Sequence, residues 1–119
     1  MKMKMKSYTC ELVYAGPSEV YQMAPADAFN KTCVVGRLPE LEKVILADSF
    51  WSYRYARHII KGRWVEAEDI IMTATDHSYY YAFCVTKGKL PDKMHNMMLL
   101  RAIEDSNDIW VKEYFEFIK

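Results

Sequence analysis

Histidine and cysteine are the side chains best suited to chemistry in this chain, and both are few. His58 and Cys84 lie 26 residues apart, with His77 between them and His95 beyond. That separation equals one period of the repeat described below, or roughly 10 Å between packed helices. A Cys–His nucleophile needs hydrogen-bond contact, which this spacing does not supply. We therefore interpret these residues as partly buried scaffold, and their spacing suggests no metal site.

The other patterns that indicate catalysis are missing from the sequence. There is no glycine-rich phosphate loop, no GxSxG and no HExxH. The carboxylates of Glu66, Glu68 and Asp69 recur in the repeat, so we interpret them as partners of a helix dipole in its first turn. We expect no catalytic residues, no cofactor and no enzymatic activity.

Charge and cysteine usage narrow the class of protein. The chain has 16 basic and 16 acidic residues, which argues against broad capture of DNA and against an acidic DNA mimic. A local basic patch remains compatible with this balance. Three widely spaced cysteines without CxxC predict no disulfide framework, and a reducing cytosol is the default compartment.

The sequence indicates neither a membrane span nor a signal peptide. No apolar run approaches the roughly 18–20 residues that cross a bilayer. The first ten residues, MKMKMKSYTC, carry three lysines without an apolar stretch behind them. We interpret them as a solvated end and expect a cytoplasmic protein.

A repeat of 26 residues is the strongest pattern in the chain. Gly36, Gly62 and Gly88 are spaced by 26, and 11 of the 27 residues from 36 to 62 are identical to those one period later. Within a unit, Leu41, Val44 and Ile45 have helical spacing. Trp51, Tyr55 and Ile59 do so again further on. Each unit is therefore predicted to hold two short helices.

We predict an all-α fold of stacked short helical hairpins, an α-solenoid-like repeat domain spanning residues 1–119. Its parts are an N-terminal segment, a degenerate helix and three units, the last divergent and capping: 1–25, 26–37, 38–62, 63–88 and 89–119. About five residues are inserted in the last unit. The alternation of Tyr8, Cys10, Leu12 and Tyr14 fits a short strand as well as a helix.

The helix ends have sequence signals of their own. The repeated glycines fit the left-handed position after a helix, and Lys61 and Lys87 precede two of them. Pro39 and Pro91 fit the first helical position. The second helix of each unit is predicted to begin at a capping residue, near Asp48–Ser49, Thr75–Asp76 and Asp105–Ser106.

The repeated motif resembles a known group of sequences. D-(S/H)-x-x-S-Y-x-Y-A-x-x-(I/V)-x-K-G-(R/K)-(W/L)-x-E-x-E, at Asp48–Glu68 and less well at Asp76–Met94, resembles short helical repeats in many phage-encoded proteins of unassigned function. The resemblance covers about two-thirds of the chain. It implies a phage or prophage source and a small accessory or host-takeover protein, with no catalytic residues to transfer.

Two sets of side chains are candidates for partner binding. Tyrosines in the second helices cannot all point inward, since adjacent helical residues diverge by about 100°, and exposed aromatic rings make binding anchors. Basic residues at the joints between units would stack along one edge, namely Arg37, Lys61, Arg63, Lys87 and Lys89. The candidate partner-binding residues are Trp51, Tyr53, Arg54, Arg57, Tyr79, Tyr80, Lys61, Arg63, Lys87 and Lys89.

These features predict a non-catalytic protein-binding module. In a phage setting it would inhibit a host or anti-phage defence protein by occlusion, an expectation that rests on the resemblance. Two alternatives stay open. The basic edge could bind nucleic acid, or the ends of the stack could drive assembly into a homo-oligomer.

Overall fold

The structure, a computed structural model, describes residues 23–119. Within this range the chain forms seven α-helices and no strand, which confirms the all-α prediction there. The strand or helix considered for Tyr8–Tyr14 lies outside the described residues. The helices are α1 Pro25–Val35, α2 Pro39–Ile45, α3 Ser49–Tyr55, α4 Val65–Ile71, α5 Thr75–Tyr81, α6 Asp92–Glu104 and α7 Ile109–Phe117.

Two of these helices continue into a wider turn. α3 runs into a π-helical segment at Ala56–Ile60, and α5 runs into one at Ala82–Thr86. In the first, the Lys61 N–H donates to the Ala56 carbonyl five residues back, at 2.7 Å. Such segments are rare and are often found at functional sites. The repeat therefore includes a feature that the apolar spacing did not reveal.

The helices pack in two rows. α1, α3, α5 and α7 contact one another in chain order, while α2, α4 and α6 pack beside them. The fold is elongated, with extents of 49 × 24 × 18 Å. No helix in residues 23–119 is long and apolar enough to cross a membrane. The largest fully buried apolar side chains are Tyr55, Tyr81, Tyr114, Ile45, Ile71, Leu90, Met94 and Met98.

A polar cluster, here called the joint lock, connects the start of α4 to the end of α5. Arg63 donates to both oxygens of Glu68, at 2.8 and 2.9 Å. The Tyr81 hydroxyl donates to Glu68 Oε2 at 2.8 Å and accepts from the Trp64 N–H at 2.9 Å. The interpretation of Glu68 as a dipole partner is thus incomplete, because the carboxylate is buried and bonds the next helix.

The preceding unit has two of these four bonds 26 residues earlier. Arg37 donates to Glu42 Oε2 at 2.7 Å, and the Tyr55 hydroxyl donates to the same oxygen at 2.7 Å. Ser52 bonds the Ile45 carbonyl as Ser78 bonds that of Ile71. Identical residues of the two units therefore make equivalent hydrogen bonds.

The last unit modifies the joint lock. Met94 stands at the position of Glu68, one period later, and is buried. The Tyr114 hydroxyl accepts from the Leu90 N–H at 3.0 Å and bonds His95 Nδ1 at 2.7 Å. Tyr114 follows Tyr81 by 33 residues, so the insertion is seven residues and not about five. It lengthens α6 to 13 residues.

Two of the three glycines do not have the predicted left-handed backbone. Lys61 and Lys87 hold it instead, with φ of 63° and 57°, and only Gly36, at 83°, has the positive φ that we expected. The π-helical turn explains the shift. The N–H groups of Lys61 and Gly62 both bond the Ala56 carbonyl, so the chain reverses one residue earlier.

Helix starts agree with the prediction at α2 and α3. Pro39 is the first helical residue of α2. Asp48 caps α3 by accepting from the Trp51 N–H at 2.9 Å. Pro91 instead lies just before α6.

The two later caps were placed wrongly. Ala74 occupies the N-cap position of α5 and has no side-chain acceptor, while the Thr75 hydroxyl donates to Asp108. α7 is capped by Asp108, which accepts from two backbone N–H groups, and not by Asp105–Ser106. The insertion accounts for the second error, since it moves the start of α7 along the chain.

Candidate anion-binding groove

A groove of two adjoining hollows lies beside the π-helical segments. The basic hollow, about 600 Å³, is lined by Arg57, Lys61, Gly62, Phe83, Cys84, Val85 and Lys87. The aromatic hollow, about 490 Å³, is lined by Phe50, Tyr53, Arg54, Arg57, His58, Tyr80 and Cys84. Arg57 and Cys84 belong to both, so the hollows form one continuous surface.

The charge of this groove is of one sign. Arg54, Arg57, Lys61 and Lys87 line it, whereas no aspartate or glutamate of residues 23–119 does. The whole chain has equal numbers of acidic and basic residues. Like charges gathered in a concave surface attract the opposite charge. The groove can therefore hold an anionic group.

The backbone brings the two lysines to the groove. Lys61 and Lys87 each end a π-helical segment in the left-handed conformation. Arg57 projects from the first segment, and its guanidinium donates to the Tyr53 hydroxyl at 2.9 Å. None of these three cations has an ion pair within residues 23–119.

Arg54 is held by aromatic rings instead of a carboxylate. Its guanidinium lies 5.5 Å from the ring centres of Phe29 and Trp51 and 5.6 Å from that of Phe50. Its Nε is buried without a hydrogen-bond partner among the described residues. Cation–π attraction keeps the side chain in place, yet its charge is not neutralised.

His58 is influenced by this positive surface. Partial burial and the charges of Arg54 and Arg57 lower its pKa below the ordinary value. The imidazole is therefore more readily neutral at physiological pH. His58 and Cys84 line the same hollow but share no hydrogen bond in the described structure, so no Cys–His nucleophile forms. His58 is exposed overall and less buried than expected, although neighbouring side chains still desolvate its ring in part.

The predicted aromatic anchors differ in accessibility. Tyr53 is only 5% exposed, so it offers little surface beyond the face that lines the aromatic hollow. Tyr79 and Tyr80 are half-buried, with ring centres 5.9 and 5.3 Å from Trp110. Trp51 packs on Phe29 at 5.3 Å. Of the three tyrosines, Tyr53 and Tyr80 reach the groove.

The predicted basic edge divides into two kinds of residue. Arg37 and Arg63 pair with Glu42 and Glu68, so internal carboxylates neutralise both. Lys61 and Lys87 open into the groove, while Lys89 is exposed outside its lining. Of these five cations, two are therefore neutralised by carboxylates of the described residues, and two line the groove.

One further contact resembles a nucleophilic site. Ser49 Oγ lies 2.6 Å from His77 Nδ1, and Asp76 Oδ1 lies 3.7 Å from His77 Nε2. The second distance is too long for a hydrogen bond, and Ser49 lines neither hollow of the groove. The contact joins α3 to α5. Among residues 23–119, no three histidine, cysteine or acidic side chains come together as metal ligands.

The groove also contains residues that sequence reasoning did not select, namely Phe50, His58, Phe83, Cys84 and Val85. A signal for some of them was present in the repeat. Within the second helices, the pairs Arg54/Tyr80, Arg57/Phe83 and His58/Cys84 differ between units, whereas Tyr55/Tyr81 and Ala56/Ala82 are identical. These identical residues are buried, and the differing residues line the groove together with the repeated Lys61 and Lys87.

No protein-family model, curated protein or solved structure matches this chain. The chemistry of the groove is therefore the basis for assigning a function.

Proposed function

We propose that this protein is a non-catalytic binding module that holds an acidic segment of another protein in the groove. One observation carries the proposal. In the part of the chain that the structure describes, the groove is lined by four cations and no carboxylate, although the net charge of the chain is zero. Such complementarity steers an acidic partner to the surface and orients it there.

The size of the groove favours a protein segment over nucleic acid. Its unpaired cations come from two neighbouring units, and the arginines of both joint locks are already paired. Double-stranded DNA carries one negative charge per about 1.7 Å and is held by many phosphate contacts. Four clustered cations beside aromatic rings suit a short acidic peptide better.

The proposal extends to architecture and setting. The helix pairs α2/α3, α4/α5 and α6/α7 would form a short α-solenoid, supported by the equivalent bonds of the first two pairs. A cytoplasmic phage protein that inhibits a host or defence factor by occlusion is the setting that the repeat motif suggests. Occlusion requires binding alone, so the groove needs no catalytic group.

Fluorescence anisotropy with a labelled glutamate-rich peptide tests this function. We expect binding that weakens as salt rises, and at least tenfold loss of affinity in Lys61→Ala/Lys87→Ala. The matched control is Lys112→Ala/Lys119→Ala, which removes two lysines outside the groove lining. A glutamine-substituted peptide that binds equally well would refute the electrostatic basis.

Two further measurements address the alternatives. A single-stranded oligonucleotide of equal charge that binds more tightly than the peptide would transfer the function to nucleic acid. Light scattering over a concentration series tests self-assembly, which the exposed side chains of Leu99, Leu100 and Ile103 on α6 would favour. A monomer at every concentration excludes the homo-oligomer.

A further inference from the structure

Resting on the proposed function, we infer that the groove recognises a two-part motif. The motif is an acidic side chain with an aromatic or large apolar side chain close by in an extended segment. The inference follows from the different chemistry of the two hollows and from their shared wall at Arg57 and Cys84.

The basic hollow suits the acidic side chain. Arg57, Lys61 and Lys87 supply three cations around one concavity. The backbone of each lysine is fixed by the left-handed turn that ends its π-helical segment. A carboxylate or phosphate entering here would meet charge from two neighbouring units. Binding in this hollow alone would be exposed to solvent and sensitive to salt.

The aromatic hollow suits a ring or a large aliphatic group. Its walls already contain ring pairs, with Tyr53 and Tyr80 at 5.7 Å and Phe50 and Tyr53 at 6.4 Å between centres. A further ring can pack in the same tilted way at these distances. The volume of about 490 Å³ falls within the range of about 300–1,000 Å³ that is typical of ligand pockets. The planar guanidinium of Arg54 adds a cation–π surface.

The shared wall sets the spacing of the motif. In an extended peptide, side chains two residues apart lie on the same side, about 7 Å from each other. Adjoining hollows that share Arg57 and Cys84 fit such a pair. An acidic residue two positions from the aromatic residue is therefore the arrangement that fills both hollows at once.

Four labelled peptides of equal length test the inference against the full-length protein. They carry glutamate alone, phenylalanine alone, both two residues apart, or both six residues apart. We expect the closely spaced pair to bind at least tenfold more tightly than any of the other three. In Lys61→Ala/Lys87→Ala the gain from glutamate should disappear, while in Tyr80→Ala the gain from phenylalanine should disappear.

A thiol-protection assay places the peptide without altering the groove. The variant Cys10→Ser/Cys33→Ser retains Cys84 as its one thiol, on the wall common to both hollows. Saturating amounts of the closely spaced peptide should slow alkylation of Cys84 by iodoacetamide at least fivefold. This readout remains valid if Tyr80→Ala fails to fold.

The outcomes separate the inference from the proposed function. If the glutamate-only peptide binds as tightly as the closely spaced pair, the two-part motif is wrong and the acidic-segment function stands. If the pair binds without protecting Cys84, the groove is not the site. If no acidic peptide binds, both proposals fail.

Discussion

At the scale of single residues, a comparison of the first two units distinguishes side chains that hold the units together from side chains at the surface. Residues that are identical one period apart, such as Glu42 and Glu68 or Tyr55 and Tyr81, bond the units internally. Residues that differ, such as Arg57 and Phe83, line the groove. The repeat thus keeps these hydrogen bonds constant, while the groove combines differing residues with the repeated Lys61 and Lys87.

The joint lock predicts a specific loss of stability. Tyr81→Phe removes the hydroxyl that accepts from the Trp64 N–H and donates to the buried carboxylate of Glu68. Each of these two groups then loses one hydrogen-bond partner. Leaving buried polar groups unsatisfied costs about 1–3 kcal/mol. We expect a decrease of that size in the free energy of unfolding, measured by urea denaturation.

Tyr80→Phe is the control for that measurement, because its hydroxyl lies outside the joint lock. We expect it to change the free energy of unfolding by less than Tyr81→Phe does. Equal losses in the two variants would show that the lock does not contribute.

The same hydroxyls predict how stability depends on pH. Burial, with the hydrogen bonds to Glu42 and Glu68, raises the pKa of Tyr55 and Tyr81 above the ordinary value. Folding therefore favours the neutral phenols. Their contribution is complete below the unfolded pKa of about 10 and is lost as the pH rises further. The thermal midpoint should fall above about pH 10, and Tyr55→Phe/Tyr81→Phe should flatten that decline.

Glu42 gives the opposite dependence at acid pH. Burial alone favours its neutral form, but the bonds from Arg37 and Tyr55 outweigh burial and lower the pKa. The contribution of Glu42 is present at neutral pH and declines as the pH falls through the acid range below about 4. We expect the thermal midpoint of Glu42→Gln to decline less steeply over this range than that of the unaltered protein. An equally steep decline would contradict this assignment.

At the scale of secondary structure, apolar spacing predicted the paired helices but not their ends. Stripes such as Leu41, Val44 and Ile45 depend on helical period alone, and all three residues are buried in α2. The π-helical segments arise in the last turn through bonds five residues back, for which the sequence has no local signature. The aromatic hollow was not anticipated either, because its walls come from two helices that meet only in the folded chain.

The left-handed lysines predict contrasting effects of two substitutions. Glycine adopts a positive φ without steric cost, whereas alanine keeps the strain that lysine has at 63°. Lys61→Gly should therefore be more stable than Lys61→Ala by about 1 kcal/mol. Both should weaken binding of an acidic peptide equally, since both remove the charge. Chemical denaturation and anisotropy of the same samples measure the two effects.

The corrected cap of α7 allows a direct comparison of two aspartates. Asp108 accepts from the backbone N–H groups of Trp110 and Val111 and from the Thr75 hydroxyl. Removing such a cap costs about 0.5–2 kcal/mol, so Asp108→Ala should lower the free energy of unfolding by that amount. The side chain of Asp105 is exposed and, among the described residues, accepts only from the nearby Asn107 N–H, so Asp105→Ala should cost less. A larger loss in Asp105→Ala than in Asp108→Ala would instead support the cap near Asp105 that the sequence predicted.

At the scale of the whole molecule, the neutral net charge concealed an uneven distribution. Carboxylates of the joint locks neutralise Arg37 and Arg63, and Asp69 pairs with Lys93. Among residues 23–119, Arg54, Arg57, Lys61 and Lys87 make no ion pair and lie together beside the π-helical segments. Composition could exclude a protein that is basic throughout, but it could not locate this surface, because pairing is decided by distances that only folding creates.

Contacts between neighbouring units predict that the described helices unfold as one body. Ser49 bonds His77, Thr75 bonds Asp108, and Tyr80 packs on Trp110. Short helical units that bury little surface alone become stable only through such interfaces. The three tryptophans report on different units, since Trp51, Trp64 and Trp110 fall in the first, second and last. Single-tryptophan variants, with phenylalanine at the other two positions, therefore give a local probe of each unit.

In each of these variants, the urea transition seen by fluorescence should coincide with that seen by far-ultraviolet circular dichroism. Comparing two probes within one variant removes the effect of the substitutions on overall stability. Coincident transitions are the evidence for a cooperative, two-state process. If Trp110 fluorescence changed at lower urea than the dichroism signal, α6 and α7 would unfold independently. The Thr75–Asp108 and Tyr80–Trp110 contacts would then be too weak to couple the last unit to the groove.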